Sequence, residues 1–314
     1  MDIQEQVSLL AFNTFHFDVK AAQLAVVENE AELATLLRLA EKKSWPLHIL
    51  GGGSNVLLRN PLNGLVLLNR MKGIEVRNHA DSHDLICFQS GEVWQDCVDW
   101  SLAHGYSGLE NLSWIPGTMG AAPVQNIGAY GVEIKEYIHE IRAVELATGK
   151  VNHFSQEACQ FGYRDSIFKR EAKGRYFITA VTLRLPKHHQ PHTSYIPLKE
   201  LLQKQGLTHP TAQQISEAVI QIRKSKLPDP AVVGNAGSFF KNPEISHETF
   251  LQLTSAYPDL PSYPATTGVK IPAAWLIEHC GPAEGISWKG FRDGDAGVHP
   301  LQALCLVNFG QADG

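Results

Sequence analysis

Nothing in this chain reads as a membrane span, a leader or a charged tail. No apolar run reaches the ~18 residues that suggest a crossing helix, and lysine and arginine are scattered without a tract. The N-terminus, MDIQEQVSLLAFNTFHFDVK, lacks a basic stretch followed by an apolar core, so no signal peptide is expected. Cysteine is scarce: Cys87, Cys97, Cys159, Cys280 and Cys305 stand far apart, and none forms a CxxC pair. That argues against a disulfide framework or a zinc site and for buried, reduced thiols in the cytoplasm. No metal is expected. Charged residues make up 19% against 44% hydrophobic, with a net charge of -5. This balance is ordinary for a globular protein and turns attention away from nucleic acid or an anionic membrane as the main partner. A phosphorylated small molecule stays open, because a few cations in one cleft suffice. With 314 residues and no internal repeat, the chain has room for two or three compact units.

What is present is ordered by periodicity and punctuation. Residues 22–70 read as strand, helix, strand, loop, strand. Asn29 can cap the helix with Glu32 as capping-box partner, and Leu33, Leu36, Leu37 and Ala40 mark one apolar face. Residues 71–188 look richer in strand: DLICFQS, a helix from Glu92 to His104 stopped by Gly105, and a hairpin turning at Thr148-Gly149. RYFITAVTLRL alternates, placing Phe177, Val181, Leu183 and Leu185 on one side and Ile178 and Ala180 on the other. The connector PKHHQPHTSYIP, residues 186–197, is the best boundary. Beyond it, a helix capped by Thr211 and Gln214 shows Ile215, Ala218, Val219 and Ile222 at helical spacing, and another starts near Pro272 and stops at Gly281. The expected units are 1–70, 71–188 and 189–314.

Two segments are too rich in glycine to be ordinary core. The first is Gly51-Gly52-Gly53-Ser54-Asn55, directly after the strand LHIL. Three glycines let backbone N–H groups converge on an anion, since no Cβ intervenes. The segment lacks the GK[ST] ending of a P-loop and does not give a GxGxxG opening a helix; a sharp turn between strands is the plain alternative. The second runs GLEN and then IPGTMGAAPVQNIGAYG, Ile115 to Gly131. Its small residues and few polar side chains suit a large planar or phosphorylated ligand held by main-chain hydrogen bonds.

Two further strings carry chemistry. FGYRDSIFK sets Arg164 between an aromatic residue and Asp165. An Arg164–Asp165 surface ion pair is the plain reading; a guanidinium gripping a carboxylate in two places is the functional one. In KLPDP…GNAGSFFKNP, the small and flexible Asn235-Ala236-Gly237 precedes Ser238. Most lone serines are solvated or capping. No motif places a histidine base for a hydrolase triad, but a serine can protonate a carbanion where a neighbour stabilises the charge.

Together these strings resemble the UDP-N-acetylenolpyruvoylglucosamine reductase family, within the wider vanillyl-alcohol-oxidase/p-cresol-methylhydroxylase class of FAD-binding domains. The resemblance runs from Asn13 to Asn308. It implies an α+β protein with a two-lobed FAD-binding domain and a C-terminal substrate domain. It implies FAD as cofactor, NADPH as co-substrate, a monomer, and reduction of UDP-N-acetylglucosamine enolpyruvate to UDP-N-acetylmuramate for peptidoglycan. Gly51, Gly52, Gly53, Ser54 and Asn55 inherit the pyrophosphate. Pro116, Gly117, Gly120, Ala121, Ala122, Asn126, Gly128, Ala129 and Gly131 inherit the path along pyrophosphate and flavin. Arg164 inherits the enolpyruvyl carboxylate and Ser238 the proton to C2. Tyr195, Lys226 and Asn242 inherit the UDP diphosphate, with Tyr130 and Gln302 also at the substrate. The chain departs from the family pattern after Asn308: no LEPE-type glutamate follows, and Asp313 is the single acid beyond Asp295. A flavin-binding pseudoenzyme, or a shortened form lacking that glutamate, is the alternative expectation. An oxidase on the same flavin fold would have no use for the diphosphate grip.

Overall fold

The computed structural model describes residues 2–188, 190–265, 268–281, 283 and 285–312; Asp313 lies outside them. The chain packs as two compact units. Unit 1 comprises Met1–Phe12, Asp18–Gly53 and Arg59–Ser225; unit 2 comprises Asn13–Phe17, Ser54–Leu58 and Lys226–Gly314. This differs from the expected division at 188/189. The stretch up to Ser225 packs with unit 1, because its two helices bury their apolar faces on each other and against Tyr130.

Unit 1 opens with β1 (Ile3–Ser8), β2 (Lys20–Val27), α1 (Glu30–Lys43), β3 (Leu47–Leu50) and β4 (Leu62–Asn69). Their sheet runs β1-β2-β4-β3, with β1 antiparallel to β2 and both β2 and β3 parallel to β4. Helix α1 starts where its cap predicts: the Asn29 side chain accepts from Glu32 N, while the Glu32 carboxylate reaches back to Glu28 N. Leu33, Leu36, Leu37 and Ala40 are buried against Ala25, Val27, Leu65 and Leu67. Burial of each leucine contributes roughly 1.5–3 kcal/mol.

The second sheet of unit 1 is antiparallel and built from β5 (Ile74–His79), β6 (His83–Gln89), β9 (Ile138–Glu145), β10 (Val151–Ser155) and β11 (Tyr176–Pro186), in the order β10-β9-β11-β6-β5. Between β6 and β9 lie α2 (Trp94–Ala103) and the short pair β7 (Gly128–Ala129) and β8 (Val132–Glu133). Helix α2 begins later than Glu92, because that carboxylate accepts from Gly73 N and Lys72 and its carbonyl from Met119 N. The alternation expected in β11 is also corrected. A register shift between Ile178 and Ala180 swaps faces: Ile178 joins Val181, Leu183 and Leu185 in one core, while Phe177 packs beneath α1 in the other. Two helices complete the unit's chain, α3 (Ile196–Lys204) and α4 (Ala212–Lys226). Thr211 and Gln214 form the expected reciprocal cap on α4.

Asp84, 2% exposed on β6, accepts from Tyr106 Oη at 2.7 Å, Lys187 Nζ at 2.9 Å and His79 Nδ1 at 3.1 Å. Burial opposes its charge, but these three donors outweigh it and hold the carboxyl well below its ordinary value of 3.8; burial and Asp84 push the Tyr106 phenol up to about 12. A depressed carboxylate contributes stability above its unfolded value and loses it as pH falls through the folded one. Melting temperature should therefore drop as pH falls below about 4, and Asp84→Asn should lower stability at neutral pH while flattening that acid limb. An unchanged acid limb in the variant would contradict this assignment.

Unit 2 contains β12 (Gly234–Ser238), β13 (Glu244–Ile245), α5 (His247–Ala256), β14 (Tyr263–Pro264), β15 (Val269–Lys270), α6 (Ala273–His279), β16 (Arg292–Asp293), β17 (Ala296–His299) and β18 (Gln302–Asn308). One sheet runs β12-β18-β17-β16 and a smaller one β13-β15-β14. Helix α6 follows Pro272 as expected, and its core is Leu260, Val269 and Ile271 with Trp275 and Leu276. Cys87, Cys97, Cys159 and Cys305 are buried, and burial pushes the Cys159 thiol up to about 12; Cys280, expected among them, is exposed. Among the described residues no helix is long and apolar enough to cross a membrane, and no cluster of three metal-ligating side chains occurs.

Candidate active site

The two glycine-rich segments meet in unit 1, backbone against backbone. A Cβ on Gly52 would stand 3.1 Å from Gly117 Cα, and one on Gly51 would stand 2.7 Å from Thr118 Oγ1. Gly120 is pressed on the end of β6: a Cβ there would lie 2.7 Å from Ser90 Cβ, and Gly120 N donates to Ser90 O. Gly53 at φ 62 and Gly117 at φ 121 occupy backbone space that side chains disfavour. Pro116, Ala121 and Gly131 are exposed, Gly128 and Ala129 half-buried, and Ala122 turned into the core. Asn126 is fully buried, and its side chain is engaged by Glu133, Gly162 and Lys135 within the protein. It braces the loop from behind. Ser54 and Asn55 belong to unit 2.

Arg164 takes a partner that its own neighbourhood in sequence does not suggest. Asp165 pairs with Arg170 instead. The Arg164 guanidinium donates from Nη2 to Gly128 O at 2.5 Å, and Nη1 lies 3.2 Å from where a Gly128 Cβ would be. Its backbone sits at φ 54, a left-handed conformation that persists only when surroundings enforce it. The enforcement is visible: Gly162 and Asp165 bridge across it, and Lys169 Nζ donates to Arg164 O.

Tyr195 caps α3 and is 39% exposed; its ring meets Tyr130 edge-on at 5.3 Å between centroids. Burial raises the Tyr130 phenol, against which the Arg223 guanidinium, hydrogen-bonded to it, works in the opposite sense. Arg223 Nε also donates to Trp114 O at 3.1 Å. Arg223 was not singled out from sequence. Its one signal in the sequence is a cation three residues before Lys226, which many helix arginines share.

In unit 2, Ser238 ends β12 just past a register shift against β18 and is exposed. The segment before it is pinned, contrary to the flexible stretch expected. Asn235 is 3% exposed; its N donates to Thr14 O at 2.8 Å, its O accepts from Thr14 Oγ1 at 2.6 Å, and its Oδ1 accepts from Gly237 N at 3.0 Å. Bulges of this kind re-aim the side chain that follows. Asn242 Oδ1 accepts from Ala273 N at 2.9 Å, and Gln302 Oε1 accepts from Leu304 N. Lys226 is exposed where α4 ends.

Residues 21–155 match the family model of an FAD binding domain, and residues 229–314 that of the C-terminal domain of UDP-N-acetylenolpyruvoylglucosamine reductase. A relative so named in Pseudomonas aeruginosa is 46% identical over 100% of this chain and 91% of its own length. The chain belongs to the UDP-N-acetylenolpyruvoylglucosamine reductase family. Another member, from Paraburkholderia phytofirmans, is 48% identical over 98% of this chain and 88% of its own length. The solved reductase of this name from Thermus caldophilus shares the fold, with a TM-score of 0.66 and 23% identity over 100% of this chain and 90% of that one.

The residues of unit 1 fit the family's flavin dinucleotide. Gly52 pressed on the Gly117 backbone, with Gly51 against the Thr118 hydroxyl, forms a small-residue cradle of the kind that main-chain amides need to approach a diphosphate.

Proposed function

We propose that this chain is the FAD-dependent enzyme that reduces UDP-N-acetylglucosamine enolpyruvate to UDP-N-acetylmuramate with NADPH, a cytosolic step of peptidoglycan synthesis. The observation that carries this reading is identity of 46% along the whole chain to a reductase of that name. The placement of Arg164 on Gly128, within the second glycine segment, is consistent with it. When bound, FAD would supply the two-electron chemistry that links NADPH oxidation to reduction of the enolpyruvyl group.

The roles of the chain's own groups are those the family resemblance implies, and their chemistry suits them. Gly51, Gly52 and Gly53 with Ser54 and Asn55 hold the cofactor's diphosphate, and Pro116 to Gly131 line its length. Arg164 holds the enolpyruvyl carboxylate and stabilises the negative charge that grows there. Ser238 Oγ gives a proton to C2. Tyr195, Lys226 and the Asn242 NH2 hold the diphosphate of the sugar nucleotide, with Tyr130 and Gln302 beside it; we add Arg223, whose guanidinium already engages the Tyr130 phenol.

Stopped-flow absorbance tests the reading in two halves. NADPH is expected to bleach the flavin, and the UDP sugar to restore its colour in anaerobic buffer. Ser238→Ala is expected to slow only the second half, by about a hundred-fold or more, as loss of a proton donor implies. Reoxidation by oxygen alone, with no response to the UDP sugar, would sink the proposal.

A further inference from the structure

Asn111 makes an arrangement that neither the fold nor the roles above account for. It lies in the 3-10 turn Glu110–Leu112 and is 1% exposed. Its single NH2 group serves two carbonyls from distant parts of the chain: Tyr130 O at 2.9 Å and His192 O at 2.8 Å. Its Oδ1 is buried and finds no hydrogen-bond donor among the described residues. A buried acceptor left in that state destabilises, so local stability alone does not explain the residue. What it holds is itself strained: Tyr130, a non-glycine residue, sits at φ 50.

We infer that Asn111 is a positioning residue, one amide that fixes Tyr130 and the 190–195 connector relative to each other. Tyr130 is the residue of the second glycine segment whose ring meets Tyr195 at 5.3 Å. His192 stands three residues before Tyr195 on the connector. Through its two hydrogens, Asn111 holds both tyrosines in place before a ligand arrives, and the Arg223 contact to Tyr130 is held with them. The cost of ordering a connector is then met in the free protein and need not be drawn from binding. Asn111 acts through two backbone carbonyls, those of Tyr130 and His192.

The kinetic consequence rests on the function proposed above, while the structural one does not, and the test separates them. Asn111→Asp keeps the shape and removes both donors; Asn111→Ser, smaller and uncharged, serves if the aspartate variant does not fold. Hydrogen–deuterium exchange on flavin-loaded protein is expected to speed up together in 128–131 and 190–195, with the strands of both sheets unchanged. Exchange that rises in one segment and not the other overturns the shared anchor, whatever the enzyme does. With the UDP sugar, KM should rise about ten-fold with kcat little changed, as loss of two hydrogen bonds implies. In a Tyr195→Ala background the same change should raise KM by under about two-fold, because the two residues act as one unit. An equal loss in both backgrounds, or a loss of flavin content matching the loss of rate, overturns the inference. Coupled exchange in a protein that ignores the UDP sugar would instead leave the anchor standing and remove the proposed function.

Discussion

Arg164→Ala is expected to cut turnover of the UDP sugar by about a thousand-fold, or about 4 kcal/mol, the scale of removing one well-placed donor from developing charge. Flavin reduction by NADPH should stay within about three-fold of wild type, since that half-reaction develops no carboxylate charge on the sugar. The structure adds a structural contribution to the chemical one. The guanidinium also ties Gly128 O, so alanine frees the short β7–β8 hairpin as well as removing a cation. Arg164→Lys separates the two effects. It keeps a charge but loses the planar fork that can bind a backbone carbonyl and a carboxylate together, and should lose about a hundred-fold. Flavin content near that of wild type in both variants, with the loss confined to reoxidation by the sugar, is the expected pattern. Equal slowing of both half-reactions would remove Arg164 from the chemistry and leave it as a brace.

Gly120→Val is expected to yield protein nearly free of flavin. Gly120 lies against Ser90, and even a single Cβ would stand 2.7 Å from Ser90 Cβ and 3.1 Å from Ser90 O. Ser90 cannot withdraw: it is fully buried, its N donates to Thr179 O, and its Oγ accepts from Asn69. The loop must therefore move, breaking the Gly120 N to Ser90 O bond and shifting the whole second segment off the first. Overpacking of this sort costs about 1–3 kcal/mol, which a folded unit can survive; cofactor affinity, which depends on the placement of several amides at once, should fall by at least about a hundred-fold. Gly174 is the control position, because it is exposed, lies outside both glycine segments and has open space where a Cβ would stand: an alanine there meets only its φ of 71. FAD titration of apoprotein measures both, and undiminished affinity in Gly120→Val would contradict the cradle.

Much of the local structure was legible in the sequence because it depends on neighbours three or four residues apart. Asn29 with Glu32 and Thr211 with Gln214 start helices where their side chains reach the first free N–H groups. The two glycine segments stood out as runs poor in large side chains, and folding brings Gly52 against Gly117. Other features were not legible. The bulge that sends Phe177 away from Val181 comes from how β11 pairs with β9. Asn235 looked mobile among small residues, yet Thr14, 221 positions away, holds it. Asn111 and Arg223 carry no motif of their own; their importance lies in partners that only folding supplies.

The order of residues alone thus set the starts of the capped helices, the two glycine-rich turns and the family. Folding in three dimensions chose which partner each polar group takes: Gly128 O for Arg164, the Tyr130 and His192 carbonyls for Asn111, Thr14 for Asn235. The difference is one of range. Caps and turns are selected by contacts within a few residues, whereas a buried amide or guanidinium must find whichever acceptor the packing brings near, and packing is settled by the whole core at once.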